Sequence, residues 1–193
     1  MTLLENKWNQ YYSEAELSSC AAVAVLSEHA WLLPEKGTAL DLACGLGANA
    51  LFLAEQGLVV TAVDSSVVAI EKLNIASRQR GLTINAAEHS ITATSFLKQS
   101  FDVIVVSRFL DRSLSDAIIE ALKLGGLLFY QTFTREKVHT EPPNNPDYLL
   151  CDNELLTLFS PLRVVFYQEN GLLGKKRQGL RNEAQFIGQK RHP

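Results

Sequence analysis

Cysteine is scarce in this chain of 193 residues, with only Cys20, Cys44 and Cys151 present. Their odd number and wide spacing give neither a disulfide framework nor a zinc-ligand pattern, so a reducing compartment is the natural setting. Positive charge is not in excess either: 18 Lys and Arg face 21 Asp and Glu, for a net charge of −3. Apart from Lys175, Lys176 and Arg177 the basic residues are scattered, which predicts no general attraction to nucleic acid or to anionic membranes. No apolar run approaches the ~20 residues needed to span a bilayer. The stretch Met1–Glu14 has no basic flank followed by an apolar core, so no signal peptide is expected. G-x-S-x-G is absent, which leaves Ser/His/Asp hydrolase chemistry without an anchor. A soluble, cytoplasmic protein is the expectation.

What is present is apolar residue in quantity, 47% of the chain, enough for one well-buried domain. A β-rich run, a glycine or acid, and a helical pattern recur in that order, which predicts an α/β fold with a parallel sheet covered on both faces. A helix is expected from about Glu14 to Leu33, closed by Pro34 and Gly37. Strands follow at Thr38–Ala43, Leu58–Val63, Leu82–Ala87 and Asp102–Val106, the last nearly all β-branched, as burial of both faces requires. Helices are expected at Ala48–Gln56, at Ser65–Arg80, and at Ser115–Leu124, where Gly125-Gly126 should stop the helix before a strand at Leu127–Phe133. Thr134–Leu150 is a Pro/Asn-rich loop of a length usually reserved for function. Asp152 is expected to cap a short helix through Phe159. Leu162–Gln168 and Ala184–Gln189 then form a hairpin around the basic, glycine-punctuated stretch Gly171–Arg181. One domain thus divides into an N-terminal lid or helix segment (1–33), whose Trp8, Tyr11 and Tyr12 could cover a site, a ligand-binding core (38–133) and a closing loop, helix and hairpin (134–193).

The most informative stretch runs from Ala39 to Ala50. A buried strand carries Asp41 near its end, then the chain turns through Gly45 and Gly47 into a helix. Glycine lets main-chain N–H groups approach a ligand closely, and the open end of a doubly wound sheet is where nucleotides bind. Gly45, Gly47 and Ala50 also satisfy the dinucleotide pattern G-x-G-x-x-A. Asp64 ends the next strand, where a carboxylate can accept hydrogen bonds from two ribose hydroxyls. That arrangement fits adenosylmethionine and NAD equally.

On these residues the chain resembles the class I S-adenosylmethionine-dependent methyltransferases. Their first motif, acid-x-[Gly/Ala]-x-Gly-x-Gly, is matched by Asp41, Ala43, Gly45 and Gly47. The resemblance implies a seven-stranded, mainly parallel sheet ending in an antiparallel pair. It implies S-adenosylmethionine as cofactor and S-adenosylhomocysteine as product. Asp41 would then lie near the ammonium of the cofactor, the glycines beneath its ribose and methionine, and Asp64, with Ser65 beside it, at the ribose. For adenine, where the family often has an Asp, this chain offers Glu88, His89 and Ser90. Ser107, after the fourth strand where the methyl acceptor approaches, is the last of the candidate cofactor contacts.

The segments Phe101–Leu114 and Gly125–Thr134, with Pro143, Asn145, Pro146, Leu149, Leu150, Glu154 and Leu155, resemble a narrower group. It comprises the small methyltransferases related to tellurite-resistance and thiopurine-type enzymes. Trp8 and Tyr12 extend that likeness to the N-terminus. Departures are Leu124, where Pro is common, and Tyr11, where Arg is often found. Tyr12, Arg108 and Arg112 are the candidate acceptor contacts, with Asp111 able to pair with either arginine. An internal ion-pair network is the competing role for both arginines, and plain helix packing for the N-terminal aromatics. Neither the [Asn/Asp/Ser]-Pro-Pro-[Tyr/Phe] motif used on amide or amino nitrogen nor a magnesium-binding carboxylate set occurs. The resulting expectation is methyl transfer to a small-molecule acceptor such as a thiol or metalloid, with no membrane or metal involved. The alternatives are an RNA or protein methyltransferase, whose only electrostatic support is the Lys175–Arg177 cluster, and a module that binds the cofactor without catalysis.

Overall fold

A computed structural model of the chain describes residues 3–16, 20–93 and 98–191. Its strands are β1 (Thr38–Leu42), β2 (Val59–Asp64), β3 (Ile84–Glu88), β4 (Phe101–Ser107), β5 (Leu122–Phe133), β6 (Arg163–Glu169) and β7 (Glu183–Gln189). They form one seven-stranded sheet in the order β3-β2-β1-β4-β5-β7-β6. β1 to β5 pair in parallel, while β7 runs antiparallel to both β5 and β6. The expected seven-stranded, mainly parallel sheet with a reversed strand near one edge is what the chain adopts.

Strand periodicity explains why both faces are covered. Val103, Ile104, Val105 and Val106 are all fully buried, yet successive residues serve different cores because side chains alternate across the sheet. Val103 and Val105 join Ala39, Val60, Ala62 and Phe129 on one face. Ile104 and Val106 join Leu40, Leu42, Leu128 and Tyr130 on the other. The first face receives α2 (Ala24–Ser27), α3 (Ala48–Glu55) and α4 (Val67–Gln79), through Leu26, Leu51 and Leu73 among others. The second receives α5 (Ser115–Ala121) and α6 (Glu154–Leu158), through Ile118 and Leu155.

Three expected elements differ. The long helix from Glu14 to Leu33 does not form. Instead α1 spans Leu3–Glu14 and α2 only Ala24–Ser27, followed by a 3-10 turn at Ala30–Leu32; residues 17–19 of the expected helix lie outside the described segments. Tertiary hydrogen bonds take the place of helical ones. Val23 N donates to Asn49 Oδ1 and Val25 N to Gln131 Oε1, each at 2.9 Å, so these amides are claimed by the core. Gly125-Gly126 do not stop a helix but lie inside β5. The register slips there, Phe101 pairing with Leu122 and Val103 with Leu127. Gly125 takes φ +82°, and a Cβ on Gly126 would come within 2.9 Å of Lys123 O. Finally, Asn153 rather than Asp152 occupies the cap of α6, with left-handed backbone and no side-chain cap bond; Glu154 instead accepts from Cys151 N at 2.8 Å.

The connection between β6 and β7 is folded around one side chain. The Arg181 guanidinium donates to the carbonyls of Gly171, Leu173, Lys175 and Gln178, all at 2.8 Å. This connection leans on the 134–150 loop, where Val138 N donates to Asn182 Oδ1 at 2.8 Å.

Candidate functional site

Between β1 and β4 the strand order reverses direction, and at such a switch point the connections from neighbouring strands leave for opposite faces and open a crevice. The carboxyl ends of β1, β2 and β4 therefore meet where the motif residues lie. After Leu42 the chain enters the left-handed region at Ala43 (φ 54°), Gly45 (φ 53°) and Gly47 (φ 80°). Such a conformation strains any residue with a Cβ, and Ala43 bears that strain. Gly45 and Gly47 are glycines for a second reason, the space in front of them. A Cβ on Gly45 would stand 2.7 Å from Tyr12 Oη, and one on Gly47 would stand 2.4 Å from Leu73 Cδ1. The space in front of Gly45 is thus taken by the Tyr12 hydroxyl, and that in front of Gly47 by Leu73, in the packing between the turn and α4.

Asp41 is wholly buried. Its carboxylate accepts from Ala50 N at 2.9 Å and from Asn49 Nδ2 at 3.4 Å, tying the strand to the first turn of α3. Burial pushes its pKa up to about 7, against the opposing effect of those two hydrogen bonds. Asp64 is buried at the end of β2. Its Oδ2 accepts from Gly45 N at 2.8 Å and its Oδ1 from Ser66 N at 2.9 Å. Burial raises its pKa as well, the main-chain donors opposing. Cys44 beneath them has its thiol pushed up by burial and by the charges of Asp41 and Asp64. Ser65 is half-buried beside Asp64, and Ser66 caps α4 by accepting from Ala69 N at 3.2 Å.

The flank toward β3 holds Glu88, His89 and Ser90, all exposed. His89 N donates to Asp64 O at 2.9 Å, which holds this segment against the end of β2. On the β4 side, Ser107 is half-buried and its Oγ accepts from Asn49 Nδ2 at 2.9 Å. Arg108 follows with left-handed backbone, φ 51°, and its N donates to Gln131 O at 2.8 Å. Its Nε lies 3.3 Å from Glu183 Oε1, and its side chain is more than half exposed. Gln131 Nε2 donates to the other oxygen of Glu183, while Gln131 Oε1 accepts from Val25 N and from Gln185 Nε2, both at 2.9 Å.

Arg112 has a different placement. Its Nε and Nη2 grip Glu154 at 2.5 and 3.0 Å, and its remaining bonds run to Asp147 O at 2.8 Å and Leu149 O at 3.0 Å. The guanidinium beside it holds the Glu154 carboxyl below its ordinary range. This is the internal ion-pair network, and it fastens the 134–150 loop to α6. Asp111 pairs with neither arginine through these bonds; its Oδ1 accepts from Ser113 N at 3.0 Å and from Ser113 Oγ at 2.6 Å.

Tyr12 arrives from α1. Its ring stacks on Trp8 with centroids 6.0 Å apart, and Tyr11 meets it edge-on at 5.1 Å. Burial and the neighbouring Asp64 raise the Tyr12 pKa, so its hydroxyl stays protonated at neutral pH. Tyr12, Asp41, Ala43, Gly45, Asp64, Ser65 and Ser107 are therefore gathered at one end of the sheet, Gly47 lies behind them, and Arg108 stands at the rim. Sequence reasoning missed Asn49, Gln131 and Gln185, which join these parts; each is a buried polar residue in an otherwise apolar run, a pattern that marks a group with an obligatory partner.

The residues fit an adenosyl cofactor. Asp64 spends one lone pair of each oxygen on main-chain donors, and a carboxylate has about four, which leaves acceptors for two hydroxyls. Gly45 keeps the turn bare of a side chain, so that Tyr12 can approach it; a Cβ there would meet its hydroxyl at 2.7 Å.

Comparison with known proteins agrees with this geometry. Residues 39–126 match the methyltransferase-domain family. The probable S-adenosyl-L-methionine-dependent methyltransferase TehB of Haemophilus influenzae is 30% identical over 139 residues, covering 68% of this chain and 48% of that protein. A ubiquinone biosynthesis O-methyltransferase of Histophilus somni is 31% identical over 108 residues, covering 50% of this chain and 44% of its own length. The chain thus spans about half the length of these curated relatives. In fold it is similar to the crystal structure of TehB from Haemophilus influenzae, with TM-score 0.74 and 23% identity over 95% of this chain and 67% of that one.

Proposed function

We propose that the chain is a class I S-adenosylmethionine-dependent methyltransferase that transfers a methyl group to a small-molecule acceptor, a reading supported by its match to the methyltransferase-domain family and its likeness to TehB. The observation that carries the reading is Asp64, a buried carboxylate with spare acceptor capacity at the open end of β2, bonded to the main chain of the glycine turn. Asp64 and Ser65 would hold the ribose, the main chain of the turn at Gly45, beneath Tyr12, would lie along the methionine portion, and one of Glu88, His89 and Ser90 would meet adenine. Asp41 would set the shape of the turn from behind, since its oxygens are bonded to α3.

The bound cofactor supplies an electrophilic methyl on a sulfonium. The chain's own residues then have to align the acceptor and exclude water. Transfer of that methyl to the acceptor's lone pair would leave S-adenosylhomocysteine, the sulfur keeping the electrons of the broken bond. A soft acceptor such as a thiolate needs no general base for this, so no catalytic residue is assigned. Ser107 and Arg108 lie at the end of β4, and the cationic Arg108 at the rim suits an acceptor that carries negative charge. The net charge of −3 supports a small molecule over a polynucleotide, whose binding rests on phosphate contacts.

Methyl transfer from labelled cofactor to thiols, metalloid oxyanions, RNA and protein tests the reading. Turnover of a small nucleophile is expected, unchanged when Lys175, Lys176 and Arg177 are replaced by Ala. Transfer to RNA alone, abolished by that replacement, contradicts the small-molecule reading. Cofactor binding without transfer to any acceptor points to a non-catalytic binding module.

A further inference from the structure

Lys72, on α4, reaches across to the end of α1. Its Nζ donates to Tyr12 O at 2.7 Å, to Ser13 O at 3.1 Å and to Ala15 O at 2.8 Å. An ammonium has three protons to give, and three carbonyls receive them. Carbonyls at a helix C-terminus lack helical partners and carry the negative end of the helix dipole. The last turn of α1 has no basic residue of its own, so Lys72 supplies that charge from a different helix. Another bond joins the same two segments, Ser66 Oγ donating to Asn9 Oδ1 at 2.7 Å.

The residue held most closely is Tyr12, whose hydroxyl stands over Gly45 and whose pKa registers the charge of Asp64. The next residue after Lys72 is Leu73, which packs against Gly47. A single turn of α4 therefore holds Tyr12 over the glycine turn through Lys72 and seals its other side with the next residue, Leu73. Tyr11 is 59% exposed, while Trp8 and Tyr12 are half-buried, so the charge at its C-terminus restrains α1 alongside these rings.

We propose that Lys72 is a positioning residue that clasps α1 over the cofactor turn and so retains bound S-adenosylmethionine and its product. The proposal rests on the functional reading above, and its two halves are measured separately. Lys72→Met keeps the aliphatic stem and removes the charge; Lys72→Arg restores a cation. In the ligand-free protein, hydrogen exchange across residues 7–15 is expected to accelerate about tenfold or more in Lys72→Met, the scale of losing charge-assisted hydrogen bonds. Protection of α4 and the sheet is expected to stay at the wild-type level, and Lys72→Arg to regain part of the loss. Trp8 emission should shift to the red in Lys72→Met. It is recorded in a Trp31→Phe background, because Trp31 is the only other tryptophan.

In stopped-flow experiments, S-adenosylhomocysteine should dissociate roughly tenfold faster from Lys72→Met than from wild type. Wild-type exchange in α1 of Lys72→Met would overturn the clasp. Loosened α1 with wild-type product dissociation would overturn its role in retention. Failure of the wild type to bind either adenosyl compound would overturn the functional reading and retention together, while exchange in the ligand-free protein would still decide whether Lys72 holds α1.

Discussion

Asn49 donates its side-chain amide to Ser107 Oγ at 2.9 Å, so the first helix after the glycine turn is hydrogen-bonded to the end of β4. The same side chain accepts from Val23 N and donates to Asp41. Asn49→Ala strands a buried main-chain N–H and weakens the hold on Asp41. Leaving such groups without partners costs about 1–3 kcal/mol each, so a loss of roughly 2–4 kcal/mol in urea unfolding is expected. A loss under about 1 kcal/mol would show that water or a local shift satisfies these groups.

Asp64→Ala should lower affinity for S-adenosylmethionine by about tenfold to a hundredfold, the effect of removing a charged acceptor for two hydroxyls. Because Asp64 also binds Gly45 N and Ser66 N, the variant is expected to lose some thermal stability too. Asp64→Asn retains one acceptor and should fall between the two. Calorimetry reads this directly; wild-type affinity in Asp64→Ala, or tighter binding of NAD than of S-adenosylmethionine, contradicts the assignment.

The raised pKa of Asp41, about 7, gives stability a pH dependence of known sign. Between about pH 4, where the unfolded carboxyl releases its proton, and pH 7, the folded chain holds more protons at this site. Its contribution to stability therefore falls as pH rises through that window. Asp64 is shifted in the same direction and adds to the slope. Asp41→Asn removes the Asp41 share, so the drop in urea midpoint between pH 5 and pH 7.5 should be smaller in the variant. Equal drops in the two proteins would mean that Asp41 carries its charge without penalty.

Arg108 and Arg112 should separate cleanly. Arg112→Ala breaks the grip on Glu154 and two loop carbonyls, and is expected to cost about 2–3 kcal/mol of stability. Arg108→Gln removes a cation whose side chain is more than half exposed, without setting a second carboxylate beside Glu183, and should leave the melting temperature within a few degrees while depressing acceptor turnover more than cofactor affinity. Thermal unfolding set beside steady-state kinetics on both variants checks the contrast. A reversal, with Arg112 affecting only turnover, would place that guanidinium at the acceptor.

The sheet was legible because two signals coincide in it, β-branched runs and punctuation by glycine or acid. Asp41, Gly45, Gly47 and Asp64 were legible for a related reason: their spacing reports a strand, a turn and a strand end at once. Helical periodicity failed where tertiary bonds outweighed it. Residues 14–33 have helical composition, but Val23 N and Val25 N are bonded to Asn49 and Gln131, partners far away along the chain. Gly125-Gly126 reads as a helix stop, yet the same freedom that ends a helix also permits the irregular register within β5. Lys72 has no sequence signature at all, since its three acceptors are main-chain carbonyls and any sequence provides those.

The connection wrapped around Arg181 has the properties of an exchangeable cassette. It leaves β6 and enters β7 at the end of the sheet where Ser107 and Arg108 lie, and its internal shape depends on one guanidinium and four carbonyls of its own. Lengthening or replacing it need not disturb any pairing within the sheet, because insertions at exposed connections cost little. Through Leu172 N and Asn182 it touches the 134–150 loop, at Glu136 and Val138. Chains of this architecture can thus diverge in what they admit to the rim by trading this one segment, while the glycine turn and its carboxylates stay as they are.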